Sequence, residues 1–270
     1  MELSRRDFIA YSVRCSLAAL SCGMLGTSTT RAASADYYDA HRDALSGAFR
    51  QIVFAAQSIW KTEFGAERAS AMAQEALGNF ETLLAKFPDV GGERNWDTQF
   101  IPVAGWYVAL YGPMKSAGKT AEDVGRLVYE MYRHELAATP REQTVKEGED
   151  LFREEPLASM QQWAEWTQKR DYADNWVAEF VRGDGQEFDF GYNYSECGAV
   201  KFFRSQGVPE LAPYMCLSDF LKSAALDSGL RRTKTLGQGD DVCDFRYKKG
   251  RPVLQNWATE IDLIRSRMRS

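Results

Sequence analysis

The 270-residue sequence predicts an α+β fold: an N-terminal helical region, then a four-stranded antiparallel sheet in the order β-β-α-α-β-β with helices on one face. Three observations predict it. Apolar residues recur at three- and four-residue steps through the first half, the period drops to two beyond Trp176, and two Gly-rich turns each join a pair of alternating segments.

The helical half comes first. Tyr38, His41, Leu45, Phe49, Ile52, Val53, Ala56, Ile59 and Trp60 form one apolar stripe, and Ala69, Met72, Ala76, Phe80, Leu83 and Phe87 form a second. Phe87-Pro88-Asp89-Val90-Gly91-Gly92 then reads as a loop. A third helix starts at Thr120, where Asp123 stands three residues on as in a capping box, with Val124, Leu127, Val128, Met131 and Tyr132 on one face. Leu157 to Arg170 reads as a fourth.

Beyond it, Trp176 to Val181 leads through Gly183-Asp184-Gly185 into a segment where Phe188, Phe190, Tyr192 and Tyr194 alternate with Glu187, Asp189, Gly191 and Asn193. That is a hairpin with one aromatic face. A second hairpin is expected from Leu230 to Leu236 and Val242 to Lys248, turning at Gly237-Gln238-Gly239-Asp240 and placing Cys243, Phe245 and Tyr247 on one side with Asp244 and Arg246 on the other. Helices over Ser195 to Arg204 and Pro209 to Leu226 lie between the hairpins, and a last one covers Pro252 to Arg267. Residues 36–270 are read as a single domain, helical over 36–172 and carrying the sheet over 173–270.

Residues 1–35 read as a twin-arginine signal peptide. Arg5-Arg6 precede an apolar run from Phe8 to Leu25, and Ala33-Ser34-Ala35 supplies a small-residue cleavage pattern. Arg14 interrupts the run, which is also too short to span a bilayer, so no stable membrane span is expected after processing. Ala19-Leu20-Ser21-Cys22 lacks the leucine a lipoprotein signal carries three residues before its cysteine. The expected address is the periplasm, and the translocation machinery is the expected protein partner. Removing four Arg, Glu2 and Asp7 with this segment leaves 29 basic and 36 acidic residues, a net charge of −7. No Lys/Arg block exceeds a pair, so no nucleic-acid partner is expected. Serine-triad and nucleotide chemistry are excluded by the missing G-x-S-x-G, Walker and G-x-G-x-x-G patterns. His41 and His134 lack the spacing of a zinc hydrolase.

Chemistry concentrates on Cys197, Cys216 and Cys243, the three cysteines outside the export segment. Ser195 is a plausible N-cap that would put Cys197 in a first helical turn, where free N–H groups favour a thiolate. Cys216 and Asp219 stand at i and i+3, side by side on a helix. Cys243 falls on the apolar parity of its strand and is followed by Asp244. Three readings stay open: a thiol nucleophile, an open zinc site on Cys197, Cys216 and Cys243, and a disulfide between two of the three.

The string Tyr194-x-x-Cys197, Gly207-Val208-Pro209-Glu210-Leu211-x-Pro213-x-x-Cys216-x-x-Asp219, Arg232-Thr233-x-Thr235, Gly239 and Cys243-Asp244-Phe245-Arg246-Tyr247 resembles the L-2-amino-thiazoline-4-carboxylic acid hydrolase family. The resemblance runs over roughly residues 190–248 and implies hydrolytic opening of a small cyclic amidine carboxylate to a carbamoyl-cysteine. On that basis Cys216 is expected as nucleophile or metal ligand and Asp219 as general acid or base, with Cys197 and Cys243 beside them. Arg232 or Arg246 would hold the substrate carboxylate, with Asp244 and Tyr194 lining the site. The rival reading is a periplasmic module that binds a small molecule or metal without turnover.

Overall fold

The computed structural model describes residues 35–269, so the export segment expected over residues 1–35 lies outside it except for Ala35. The chain divides into two compact units, Met1–Met131 and Tyr132–Ser270. Among the described residues no helix is long and apolar enough to cross a membrane.

The first unit is helical. After α1 (Ala35–Ala40), α2 (Arg42–Phe64) and α3 (Ala66–Leu84) bury most of the two predicted stripes, with Phe49 stacked on Phe80 at 4.4 Å between centroids, while Ile59 of the first stripe is 50 % exposed. The helix α4 (Phe100–Ser116) has no counterpart in the sequence reading. Its buried residues, including Ile101, Pro102, Ala104, Tyr107, Ala109 and Leu110, fall on every side, so it has no polar face to reveal a 3.6-residue period. The helix α5 (Ala121–Ala138) runs across the boundary at Met131 and begins as expected. Asp123 accepts from the Thr120 N–H at 2.8 Å, and Thr120 Oγ1 accepts from the Asp123 N–H at 3.2 Å.

In the second unit α6 (Arg141–Asp150) and α7 (Glu154–Thr167) precede β1 (Val177–Arg182) and β2 (Phe190–Glu196). Their hairpin turn is held by Asp184 Oδ1, which accepts from Gln186 N–H at 2.8 Å and Glu187 N–H at 2.9 Å. The sheet is antiparallel in the order β1-β2-β3, with β3 spanning Cys243–Tyr247. Tyr192 pairs with Phe245, and Tyr194 with Cys243. The predicted aromatic face is present: Phe190 stacks on Tyr247 at 4.9 Å, and Tyr194 meets Phe245 edge-on at 5.4 Å. Thr167 and Gln168 at the end of α7 cover the outer edge of β1: Thr167 Oγ1 accepts from Ala178 N–H at 2.9 Å while donating to Ala164 O at 2.7 Å, and Gln168 Nε2 donates to Ala178 O at 2.6 Å.

The sheet has three strands, not the expected four. Residues 230–236 form no strand because side chains take their backbone N–H groups. Arg231 makes one bridge to Arg246, but Gln255 Oε1 takes the Arg232 N–H, Asp244 Oδ1 takes those of Thr233 and Lys234, and Asp240 Oδ2 takes that of Thr235. The expected helix over Pro209 to Leu226 is likewise divided. A 3₁₀ turn (Pro209–Leu211) runs into the single-turn α9 (Ala212–Met215), and α10 (Ser218–Leu226) follows after Cys216 and Leu217. The helix α8 (Gly198–Ser205) lies before them, and α11 (Trp257–Arg267), opened by an Asn256 capping box, ends the chain.

Candidate active site

The connection from β2 to β3 carries all the candidate groups, and each thiol has a distinct setting. Strand β2 continues through Ser195, so Cys197 rather than Ser195 is the N-cap of α8. Gly198 is required next to it: a Cβ there would lie 2.6 Å from the Trp176 ring and 2.8 Å from Asp174 O. Lys201 anchors this corner by donating to Ala173 O at 2.7 Å, Asn175 O at 2.8 Å and the Glu196 carboxylate. The favourable helix start does not produce a thiolate. Burial pushes the Cys197 thiol up, the nearby Cys216 and Cys243 add to it, and the N–H groups of Val200 and Ala199 only partly oppose.

Cys216 closes α9, and Asp219 sits in the first turn of α10. One guanidinium ties them together. Arg232 Nη1 donates to Asp219 Oδ2 at 2.6 Å, and Nη2 donates to Cys216 O at 3.0 Å. The Arg232 side chain is 3 % exposed and lies between the rings of Phe220 and Phe245, at 4.8 and 5.0 Å from their centroids. Its backbone is pinned through Gln255, which accepts from Arg232 N–H and donates to Arg232 O at 2.7 Å. Asp219, by contrast, is 37 % exposed.

The charges follow from this packing. Burial lifts the Asp219 carboxyl above its usual range although Arg232 pulls it down. Burial pushes the Cys216 thiol up to about 11; Arg232 draws it down, while Cys243 and Asp219 add to the rise. Cys243 is pushed the same way by burial, opposed by its hydrogen-bond contacts with Thr235 and with the Leu236 N–H. Burial would strip Arg232 of its proton more easily, but Asp219, Cys216 and Cys243 outweigh it and raise it.

Thr235 has no role of its own in the motif string, yet its hydroxyl lies between two sulfurs. It donates to Cys216 Sγ at 3.6 Å, lies 3.5 Å from Cys243 Sγ, and accepts from the Gly237 N–H at 3.3 Å. Cys243 Sγ also accepts from the Leu236 N–H at 3.2 Å. Gly237 is needed here, since a Cβ would stand 2.8 Å from Cys216 Sγ. All three thiols are free, and among the described residues no three His, Cys, Asp or Glu side chains are grouped to hold a metal ion. The set Cys197, Cys216 and Cys243 is therefore placed neither as a disulfide nor as a zinc site.

The expected carboxylate-binding residues have other duties. Arg232 is engaged by the Asp219 carboxylate and the Cys216 carbonyl. Arg246 donates to Tyr192 O at 3.2 Å, Phe245 O at 2.8 Å and Asn193 Oδ1 at 2.8 Å, with its guanidinium over Phe188. Asp244 accepts from Thr233 N–H, Thr233 Oγ1–H and Lys234 N–H at 2.8, 2.6 and 2.6 Å, so it shapes the loop before β3 rather than pairing with Arg246. Both line an open groove of about 770 Å³ with Glu179, Asn193 and Lys234. By strand alternation that groove lies over the sheet face opposite Cys243, and it contains none of the three thiols. Tyr194 stays on the thiol side, paired with Cys243 and half-buried.

Residues 99–247 match the model of the L-2-amino-thiazoline-4-carboxylic acid hydrolase family. The chain belongs to this family. The match covers more than half of the sequence and starts at the head of α4, well before the motif string. Every residue of the thiol, carboxylate and guanidinium cluster just described, Gln255 excepted, lies inside the hydrolase match. No curated protein and no solved structure matches the chain.

Proposed function

We propose that this hydrolase opens the ring of a small 2-amino-thiazoline carboxylate or a related cyclic amidine, with Cys216 as nucleophile and Asp219 as the group that moves the proton. The observation that carries the reading is the buried Arg232 clamp. It ties the Cys216 backbone and the Asp219 carboxylate together at the junction of α9 and α10.

A thiol raised to about 11 is neutral at rest. It attacks only as its proton is removed, and a carboxylate whose own affinity for protons is raised by burial is suited to receive it. Cys216 Sγ would bond to the amidine carbon while its proton passes to Asp219, and the ring heteroatom would leave with that proton. Water then adds at the same carbon: one of its protons passes through Asp219 to the departing sulfur, releasing Cys216 as the free thiol, and the other ends on the amidine nitrogen as the carbonyl forms. The sum is one water consumed and one ring opened. Arg232 acts from below by fixing Asp219 and the Cys216 backbone, and it touches no substrate. The paired Arg5-Arg6 support a periplasmic place of action.

The test is product formation from a panel of 2-amino-thiazoline carboxylates and cyclic amidines, by wild type, Cys216→Ala and Asp219→Asn. Ring opening by wild type and its loss in both variants is the expected result. Thermal stabilisation of wild type by the panel with no product would favour the binding module, and full turnover by Cys216→Ala would remove the nucleophile assignment.

A further inference from the structure

A hydroxyl has one hydrogen to give and two lone pairs to fill, so a threonine among several polar neighbours adopts a definite direction. Thr235 is 4 % exposed, and no solvent is needed to account for its hydrogen bonds. The Gly237 N–H can only donate to Oγ1, which uses one lone pair. Cys243 Sγ receives the Leu236 N–H and carries an S–H that can be given to Thr235 Oγ1, the direction of that contact that leaves the hydroxyl hydrogen for Cys216. The remaining lone pair of Thr235 faces that sulfur at 3.5 Å, and the one hydroxyl hydrogen is directed to Cys216 Sγ at 3.6 Å.

We propose that Thr235 is a positioning residue for the reaction, which aims and stabilises the Cys216 sulfur through a directed chain from Cys243 S–H to Thr235 O–H to Cys216 Sγ. In this arrangement Cys243, 5 % exposed, never meets the substrate. It holds the threonine rotamer that leaves the hydroxyl hydrogen for Cys216. The backbone is built to keep it so: Thr235 N–H donates to Asp240 Oδ2 at 2.8 Å, and Thr235 O accepts from Gln238 N–H at 2.9 Å and Asp240 N–H at 3.2 Å. Asp240 is fixed in turn by Arg267 Nη1 at 2.8 Å. A hydrogen bond aimed at sulfur stabilises its anion, the reactive form, more than the thiol.

The inference rests on Cys216 being the nucleophile, but alkylation of its sulfur needs no substrate and so separates the two claims. The full chain is treated with iodoacetamide at neutral pH, and the rate at Cys216 is followed by mass spectrometry of its peptide. Thr235→Val, which keeps the shape and removes the hydroxyl, is expected to slow alkylation roughly tenfold, as loss of a hydrogen bond to an ionised group would. Thr235→Ser is expected to restore the wild-type rate within about twofold, which a purely packing role for the methyl group would not do. Cys243→Ala, which leaves Thr235 and its backbone in place, is expected to slow Cys216 severalfold. A wild-type rate in Thr235→Val with an unchanged near-ultraviolet spectrum would overturn the proposal, as would an unchanged rate in Cys243→Ala if the valine variant does not fold. Retained turnover by Cys216→Ala would instead remove the nucleophile and leave the alkylation result to judge Thr235 alone.

Discussion

Replacing Asp219 by Asn removes one negative charge from beneath the site and changes little else in size. The consequence falls on Arg232, whose side chain is 3 % exposed and cannot turn to water for a new partner. Breaking one side of a buried ion pair costs about 3–5 kcal/mol in general. Two features lower that figure here. Asp219 itself is 37 % exposed, so its own charge is partly screened before mutation, and the guanidinium keeps Cys216 O and the faces of Phe220 and Phe245. The expected loss is therefore about 2–3 kcal/mol. Urea denaturation of the full chain measures it, together with Arg232→Met and the double variant. Arg232→Met leaves a carboxylate that reaches solvent, so the double variant should lose less than the sum of the two singles, by about 1–2 kcal/mol. A loss below about 1 kcal/mol in Asp219→Asn, with additive singles, would show that Arg232 does not depend on Asp219 and would refute the clamp.

Two further outcomes follow from the same packing. Gly237→Ala brings a methyl carbon to 2.8 Å from Cys216 Sγ, so the sulfur or the 3₁₀ turn over Leu236–Gln238 must move; kcat is expected to fall at least tenfold with folding retained, read by steady-state kinetics beside circular dichroism. Stability should also decline in mild alkali. The Cys216 thiol ionises near its ordinary 9.0 in the unfolded chain and about 11 in the fold, so its contribution to stability is complete below pH 9 and is lost as pH rises through about 11. Cys197 and Cys243 are raised as well and act in the same sense. Denaturation midpoints between pH 8 and 11 should fall less steeply in Cys216→Ala than in wild type, and parallel slopes would contradict the burial of this thiol.

How much of this was legible depended on whether the signal was local. The stripes of α2 and α3, the Thr120-Asp123 cap and the aromatic alternation of β2 are patterns of neighbours in sequence, and they appear where expected. Helix α4 was invisible because it is apolar all round, and α6 because it is almost wholly polar, with only Thr144 and Gly148 buried. The missing fourth strand was hidden for another reason. Nothing in the residues 230–236 announces that Asp240, Asp244 and Gln255 will take their N–H groups, since those partners depend on how the chain returns.

The site divides in the same way. Cys216, Asp219 and Arg232 were marked by type and spacing, and the structure brings those three together. Arginine next to a suspected catalytic pair suggests a substrate anchor, and only its burial between two rings turns it into a clamp. Thr235 carried no sequence signal of its own. Its importance arises from the turn at Leu236–Gln238, which sets its hydroxyl between Cys216 and Cys243.

The most direct test of the account is to catch the bond it requires. Wild-type protein turning over a 2-amino-thiazoline carboxylate is quenched in acid, digested, and its three cysteine peptides are weighed. The account predicts a substrate-derived mass addition on the Cys216 peptide that disappears once substrate is exhausted and is absent from Cys197 and Cys243. Turnover with no adduct on Cys216, together with product formation by Cys216→Ala, would contradict it.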